Sequence, residues 1–247
     1  MLPPSPPQGR SGGGGVSEHR EAPSFFGRVG ILLAKEVTLE WRTRARLNAL
    51  VFFALATLLL FSFALGPDTT LLRQNAGGYL WLAILFSSVL SLGESFRVEQ
   101  ENACIDGMKT APAGARAIFL AKATVNCLLL LTLALVLVPV LLALYGATCV
   151  LGVPKLFAVL ALGCLAISAP GTLYAAIASY ARARDVLLPL LLFPLLIPAL
   201  VAAAKATSLI FQGDPMGQFN SWVEFLGAFN LVYWGLGLVL FPWVIED

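Results

Sequence analysis

The sequence has 247 residues, of which 58% are hydrophobic and only 12% are charged. A water-soluble chain of this size needs more polar surface than these residues provide, so the excess apolar surface is expected to face lipid. The net charge of +2 is too small to indicate nucleic acid as a partner. The composition therefore predicts an all-α integral membrane protein with membrane lipid around it.

The cysteines and the single histidine argue against a metal or redox centre. Cys104, Cys127, Cys149 and Cys164 form no CxxC pair and show no metal-ligand spacing, and three of them lie inside apolar runs. His19 lies in a segment that is not expected to fold. We therefore expect no bound metal, and we interpret the cysteines as small core residues.

The N-terminal region is predicted to lie outside the membrane core. Residues 1–24 are rich in Pro, Gly and Ser, which is typical of a disordered tail, here assigned to the cytoplasm. Residues 25–46 alternate apolar and charged positions at helical spacing, which predicts an amphipathic helix lying on the membrane surface. A simple cytoplasmic extension of the first span is the alternative. The charged face of this interfacial helix carries Arg28, Lys35, Glu36, Glu40 and Arg42.

Residues 47–247 are predicted to form one transmembrane domain of six helices, each near the ~20 residues that cross a hydrocarbon core. Six spans place both termini on the same side. If that side is the cytoplasm, Arg73, Lys155 and Lys205 are the only three of the 16 Lys and Arg residues outside. This count includes Lys122 among the inside loop residues. The predicted spans are 47–65, 78–96, 118–145, 156–181, 186–210 and 221–244.

Aromatic residues and prolines add detail to the predicted spans. Aromatic residues at span ends are typical of the headgroup zone, and on this ground they are assigned to the outer ends. Prolines remove backbone donors, and three of them in the fifth span predict a kinked or broken helix. For each single proline, a hinge and a packing device stay open as alternatives. The outer-end aromatics are Tyr79, Trp81, Tyr145 and Trp222, and the hinge candidates are Pro170, Pro189, Pro194 and Pro198.

No catalytic motif is recognisable in the sequence. It contains no GxxxxGK[ST] loop, so any ATP must be handled by a partner, and it contains neither GxSxG nor HExxH. An intramembrane enzyme would need a general base beside a polar set, and none accompanies Ser168, Thr172 and Tyr174. We therefore expect that the chain is not an enzyme.

The loop after the second span is dense in alternating charge. It predicts a short amphipathic helix that protrudes just beyond the membrane, ended by a proline before the third span begins. An ordinary solvated loop is the alternative interpretation. The residues that carry this prediction are Arg97, Glu99, Glu101, Asn102, Asp106, Gly107, Lys109 and Pro112.

Four parts of the sequence resemble known permeases. The KExxxExR pattern of the interfacial helix and the ExENxxxxGxxxxP pattern of the charged loop resemble exporter-type ABC permeases, in which this loop resembles the coupling helix that docks on the ATPase. The closer resemblance is to CcmB, the haem exporter protein B family, whose Pro-rich fifth span is also similar. The outer-side residues that resemble its G-P and G-x-x-W elements are Gly66, Pro67, Gly78 and Trp81.

This resemblance implies a permease in the bacterial inner membrane that couples ATP hydrolysis by a partner to haem handling for cytochrome c maturation. The implied partners are a cytoplasmic ATP-binding cassette subunit, a haem-handling membrane protein and, indirectly, a periplasmic haem chaperone. Haem iron normally takes His, Met, Cys or Tyr as ligands, and the predicted spans contain no His or Met. We therefore expect haem and ATP to be held by partner subunits. The alternatives are an ABC permease for a drug, lipid or polysaccharide, and a passive assembly scaffold.

Overall fold

The computed structural model describes residues 25–42, 44–66, 68–101, 114–179 and 184–246. Within these ranges the chain forms seven helices and no strand. Six of these helices are long and apolar enough to cross a membrane, which confirms the predicted fold class. The predicted tail, residues 1–24, lies outside the described residues. The helices are α1 (Phe25–Arg42), α2 (Arg44–Leu65), α3 (Thr69–Glu101), α4 (Ala115–Tyr145), α5 (Val153–Ser179), α6 (Arg184–Gln212) and α7 (Phe219–Glu246).

The spanning helices α2 to α7 alternate in direction, so the bundle has two distinct ends. We call the end that holds the beginning of α2 the entry end and the opposite one the far end. At the entry end Arg46 of α2 contacts Ser91 of α3. At the far end Arg73 of α3 donates a hydrogen bond of 2.8 Å to Thr148 in the connection after α4. The first helix, α1, precedes the bundle and ends at Arg42.

Helix α5 forms the centre of the bundle. It packs against α3, α4, α6 and α7, and 72% of its spanning window is buried, compared with 17% for α2. Large side chains of α3 reach its backbone because glycines face them: the ring of Trp81 covers Gly163, and Leu92 covers Gly171. By contrast, α2 exposes large apolar side chains such as Phe63, as expected of a helix at the lipid boundary.

Helix α3 begins at Thr69, earlier than the predicted start of the second span at 78. The carboxylate of Asp68 caps it, since Oδ1 accepts hydrogen bonds from the backbone N–H groups of Thr70 (2.9 Å) and Leu71 (3.2 Å). The first turns of α3 are polar, and hydropathy alone therefore placed the start too late. This early start carries Trp81 about 18 Å along the helix, at 1.5 Å per residue.

The prediction that Trp81 lies at the outer end of its span is therefore wrong, whereas Tyr145, the last residue of α4, does lie at the far end of its helix. Both side chains are buried within the bundle. The indole Nε1–H of Trp81 donates to Thr207 Oγ1 (2.9 Å), and the Tyr145 hydroxyl donates to the carbonyl of Leu58 (2.8 Å). A buried indole or phenol group needs such a partner, and here the neighbouring helices supply it.

The proline-rich helix α6 is continuous, so of the two predicted outcomes the break does not occur. Its packed face carries buried residues at helical spacing, among them Leu192 and Leu196. Pro194 and Pro198 are exposed, whereas Pro189 is half-buried. Two of the three prolines therefore lie away from the packed face of α6. The buried side chains on that face hold the helix against its neighbours.

The alternating spans make a testable topology. In a variant whose native cysteines are replaced by alanine, Lys155→Cys and Met216→Cys are expected to react with a membrane-impermeant maleimide from the same side of sealed vesicles. Arg116→Cys is expected to react only from the opposite side. All three positions are exposed, so access to the reagent depends on the side of the membrane alone. Labelling of Arg116→Cys and Lys155→Cys from one side would contradict six crossings in this order.

Candidate functional site: charged contacts at the entry end

A buried ion pair joins α1 to α4. The side chain of Lys122 is only 2% exposed, and its Nζ lies 3.8 Å from Oε1 of Glu36, whose side chain is 21% exposed. An ammonium group removed from water needs a nearby negative charge, which Glu36 provides. Lys122 is therefore not a loop residue, as the charge count assumed, but lies inside α4. Likewise Glu36 faces α4 instead of belonging to a solvated face.

Helix α1 docks on α4 through one side. It packs along α4 and makes little contact with α2, although α2 follows it directly in the sequence. Leu32, one turn before Glu36, packs against the bundle core, whereas Ile31 and Lys35 are exposed. Glu40 and Arg42, the other motif residues of the predicted interfacial helix, lie in the last turns of α1. The α1–α4 contact thus combines apolar packing with the Glu36–Lys122 ion pair.

A second charged contact at the entry end joins α2 to α3. The guanidinium of Arg46 donates from Nη2 to the Ser91 hydroxyl (2.8 Å) and also to the Ser91 carbonyl oxygen. Hydrogen bonds from a charged donor are stronger than those between neutral groups, and this pair fixes the start of α2 against α3. One turn deeper on α3, the hydroxyl of Ser87 is buried and has no hydrogen-bond partner among the residues that the structure describes.

Helix α4 is tied in turn to the central helix. Asn126 lies one turn beyond Lys122, and its Nδ2 donates to Thr172 Oγ1 of α5 (3.0 Å), with both side chains buried. Thr172 lies two residues after Pro170, a hinge candidate, which the structure places buried inside the unbroken α5. A proline cannot donate to the carbonyl four residues earlier, so α5 is locally weaker there. Contacts from neighbouring helices are what hold this region.

Helix α7 supports the same region of α5 from another side. Asn230 donates from Nδ2 to the carbonyl of Leu162 (2.9 Å), and Trp234 donates from Nε1 to the carbonyl of Leu165 (3.2 Å). Both acceptors lie in the part of α5 that precedes Pro170, five and eight residues before it. None of these contacts was predicted from the sequence. The signal that could have found the α4 contacts is the spacing of Lys122 and Asn126, which puts two polar residues on one face of an apolar helix.

The predicted docking loop is described only at its beginning. The backbone of α3 continues as helix to its last residue, so Arg97, Glu99 and Glu101 extend the spanning helix itself and do not form a separate short helix. Helix α4 then begins at Ala115. The remaining predicted residues of this loop, which lie outside the described ranges, are Asn102, Asp106, Gly107, Lys109 and Pro112.

At the far end the structure shows that a different glycine, Gly77, makes the close helix contact, and not Gly78 of the predicted motif. Gly66 ends α2 with φ of +68°, a left-handed conformation that favours glycine, and Pro67 lies outside the described residues. Gly78 has open space beside it, whereas a Cβ on Gly77 would lie 2.9 Å from the Ala204 carbonyl oxygen. Gly77 is therefore the residue that lets α3 approach α6. Its spacing of four from the buried Trp81 could have indicated this.

The far-end connection between α6 and α7 is held by Asp214. Its two carboxylate oxygens accept hydrogen bonds from the backbone N–H groups of Phe219 and Gln218, each at 2.9 Å. The bond from Phe219, with smaller contributions from Gln218 and the charge of Lys155, lowers the pKa of this carboxyl below its ordinary value. Among the described residues, no three His, Cys, Asp or Glu side chains are grouped as a metal site would require.

Comparisons with known proteins give consistent results. The family whose description is CcmB protein matches residues 28–245. The chain is 34% identical over 216 residues to the Heme exporter protein B of Pseudomonas aeruginosa, covering 87% of this chain and 93% of the relative. It is 33% identical over 204 residues to the Heme exporter protein B of Paracoccus denitrificans, covering 81% and 90%. The protein of that name from Rhodobacter capsulatus is 33% identical over 177 residues, covering 70% and 79%.

The two adjacent glycines of α3 provide a matched test of the packing. Gly77→Ala is expected to destabilise the protein by about 1–3 kcal/mol, because its new Cβ meets the backbone of α6 and forces the helices apart. Gly78→Ala is expected to be neutral or to stabilise by up to ~1 kcal/mol through helix propensity. Thermal unfolding midpoints in one detergent would compare them. Equal midpoints for the two variants would contradict the assignment of Gly77 to the α3–α6 contact.

Proposed function

The chain belongs to the CcmB family, and on this premise we propose that it is the membrane permease subunit of a haem export complex. The observation that carries the proposal is the extent of the match, which runs from α1 to the end of α7. The relative from Pseudomonas aeruginosa is covered over 93% of its own length, so the whole permease fold is shared and not only one segment. A permease for a drug, lipid or polysaccharide is not favoured.

In this proposal the entry end faces the cytoplasm of a bacterial inner membrane. The excess of Lys and Arg in the segments at that end supports the orientation, and the excess stays large when the buried Lys122 is left out. Both termini are then cytoplasmic, and the far-end connections face the periplasm. The exposed positions of Arg73 and Lys155 at the far end are compatible with this assignment.

The energy for the transport step is proposed to come from a separate ATP-binding cassette subunit that docks at the loop after α3. The sequence has no P-loop, so ATP hydrolysis must act through a protein contact. Helix α3 is unbroken from the far end to Glu101, which supports the proposal in a specific way. A displacement at Glu101 would move the whole helix, including Trp81 in the middle of the bundle.

Haem itself is proposed to be held by partners, a haem-handling membrane protein and, indirectly, a periplasmic haem chaperone. The six described spans contain no His and no Met, the side chains that most often ligate haem iron alongside Cys and Tyr. Cys127, Cys164 and Tyr145 are buried in the packed bundle. The permease would then transmit movement to a haem-holding partner without ligating the iron.

The docking role can be tested by charge reversal. We expect the double variant Glu99→Lys with Glu101→Lys to insert normally but to reduce co-purification of the ATPase subunit at least tenfold, because attraction at a close contact becomes repulsion. Glu224→Lys, an exposed carboxylate at the far end, is the matched control and should leave co-purification unchanged. Unchanged co-purification and unchanged cytochrome c maturation in the double variant would place docking elsewhere, most simply at the connection between α5 and α6.

Haem ligation can be tested on the purified chain alone. Titration with haem is expected to give only the broad absorption of non-specifically bound haem. Met216 is the one exposed thioether in the described part of the chain, so Met216→Leu is the first variant to compare, followed by replacement of Cys149. A sharp Soret band that disappears on replacing a single Met, Cys or Tyr would contradict the proposal and identify an axial ligand.

A further inference from the structure

We propose that the Glu36–Lys122 ion pair transmits movement between α1 and α4, which makes Glu36 and Lys122 positioning residues for the ATP-driven step. This inference rests on the proposed function and adds a second element to it. In this view α1 is not a passive anchor at the membrane surface. It moves with α4, and the ion pair adds a charged connection to the apolar packing between them.

The arrangement of the entry end supports this role. The docking loop connects α3 to α4, and each of these helices is tied by a charged residue to a different N-terminal helix. Arg46 ties α2 to α3, and Lys122 ties α4 to α1. Contact between α1 and α2 is slight. Helix α2 also packs against α4, and Tyr145 of α4 donates to the Leu58 carbonyl of α2, so α2 is held by both α3 and α4. A push on the loop that shifts α4 would therefore carry α1 with α4 through the ion pair and the packing around it.

The chemistry of the ion pair suits it to fix the position of α1 along α4. Two apolar side chains would hold α1 on α4 at least as stably, because burying a charged pair costs desolvation that the mutual attraction repays only in good geometry. An ion pair, unlike an apolar contact, is sensitive to position. A slide of one helical turn, about 5.4 Å, would separate Nζ of Lys122 from the Glu36 carboxylate and remove the attraction between these two charges. The pair thus permits α1 and α4 to move together and opposes a slide between them.

The same face of α4 leads towards the centre of the bundle. Asn126 follows Lys122 by one turn and is hydrogen-bonded to Thr172 of α5, close to Pro170. Displacement of α4 therefore acts on α5 at its weakest point. Because α5 also contacts α3, α6 and α7, movement that begins at the entry end can reach every other packed helix around it.

The test compares charge reversals with their swap in the assembled complex. The variants are Glu36→Lys, Lys122→Glu and the double swap of both, and the control is Lys35→Glu, an exposed neighbour on α1. Three quantities are measured: inserted permease, ATP hydrolysis by the co-purified ATPase subunit, and yield of covalently haem-bound cytochrome c. The decisive readout is cytochrome c yield divided by ATP hydrolysed, because a merely structural defect lowers both together and leaves their ratio unchanged.

We expect each single reversal to lower this ratio at least tenfold while ATPase co-purification stays within twofold of the native value. The swap should restore at least half of the native ratio, and Lys35→Glu should not change it. A native ratio in either single reversal would overturn the inference. If the reversals do not insert, Glu36→Gln with Lys122→Gln removes both charges with little change in size, and a native ratio in that pair, or its failure to insert, would equally overturn it.

The two proposals fail in different ways. If the native complex matures cytochrome c with ATP hydrolysis, but the Glu36 and Lys122 variants keep the native ratio, only the inference about the ion pair is wrong. If the native chain does not co-purify with an ATPase, or its loss leaves cytochrome c unchanged, the proposed function itself is wrong.

Discussion

The bundle depends on the close approach of neighbouring helices to α5. Lipid is as apolar as a leucine side chain, so the helices gain little from hiding apolar surface from one another, and tight packing and interhelical hydrogen bonds must hold them together. Gly163 allows the Trp81 ring to lie directly on the backbone of α5. Trp81 then reaches Thr207 of α6 with its indole N–H, so one side chain connects three helices. The loss of this close contact would loosen the whole centre.

The entry end follows a different rule, since charged groups provide the connections there. Glu36 with Lys122 and Arg46 with Ser91 join helices that are distant in the sequence. A charge buried in a bundle is expensive, and it is retained in membrane proteins mainly where it has a function. These two contacts flank the loop at which the proposed energy input occurs. The bundle thus has a closely packed centre and an entry end whose helices are joined by charged groups. Helices joined in this way can move together.

The sequence predicted the coarse fold correctly because long apolar runs are the strongest signal in a membrane protein. It predicted helix ends less well: the polar first turns of α3 concealed the cap at Asp68. It also misplaced Trp81, since an aromatic residue near the end of an apolar run is typical of the headgroup zone and its partner Thr207 is 126 residues away. The contact between Glu36 and Lys122 was not predicted either, because these two residues are also far apart in the sequence. Which residues meet across a bundle is decided by helix rotation, and a single sequence carries little information about that rotation.

The central claim is that this permease connects ATP hydrolysis to haem handling for cytochrome c maturation. The most direct measurement is deletion of its coding sequence from a bacterium that produces it, followed by quantification of covalently bound haem in c-type cytochromes and of non-covalent haem in b-type cytochromes. The account predicts loss of the covalent haem with b-type cytochromes retained, and restoration by the native chain but not by the Glu99→Lys, Glu101→Lys variant. Normal levels of c-type cytochromes in the deletion strain would contradict the account.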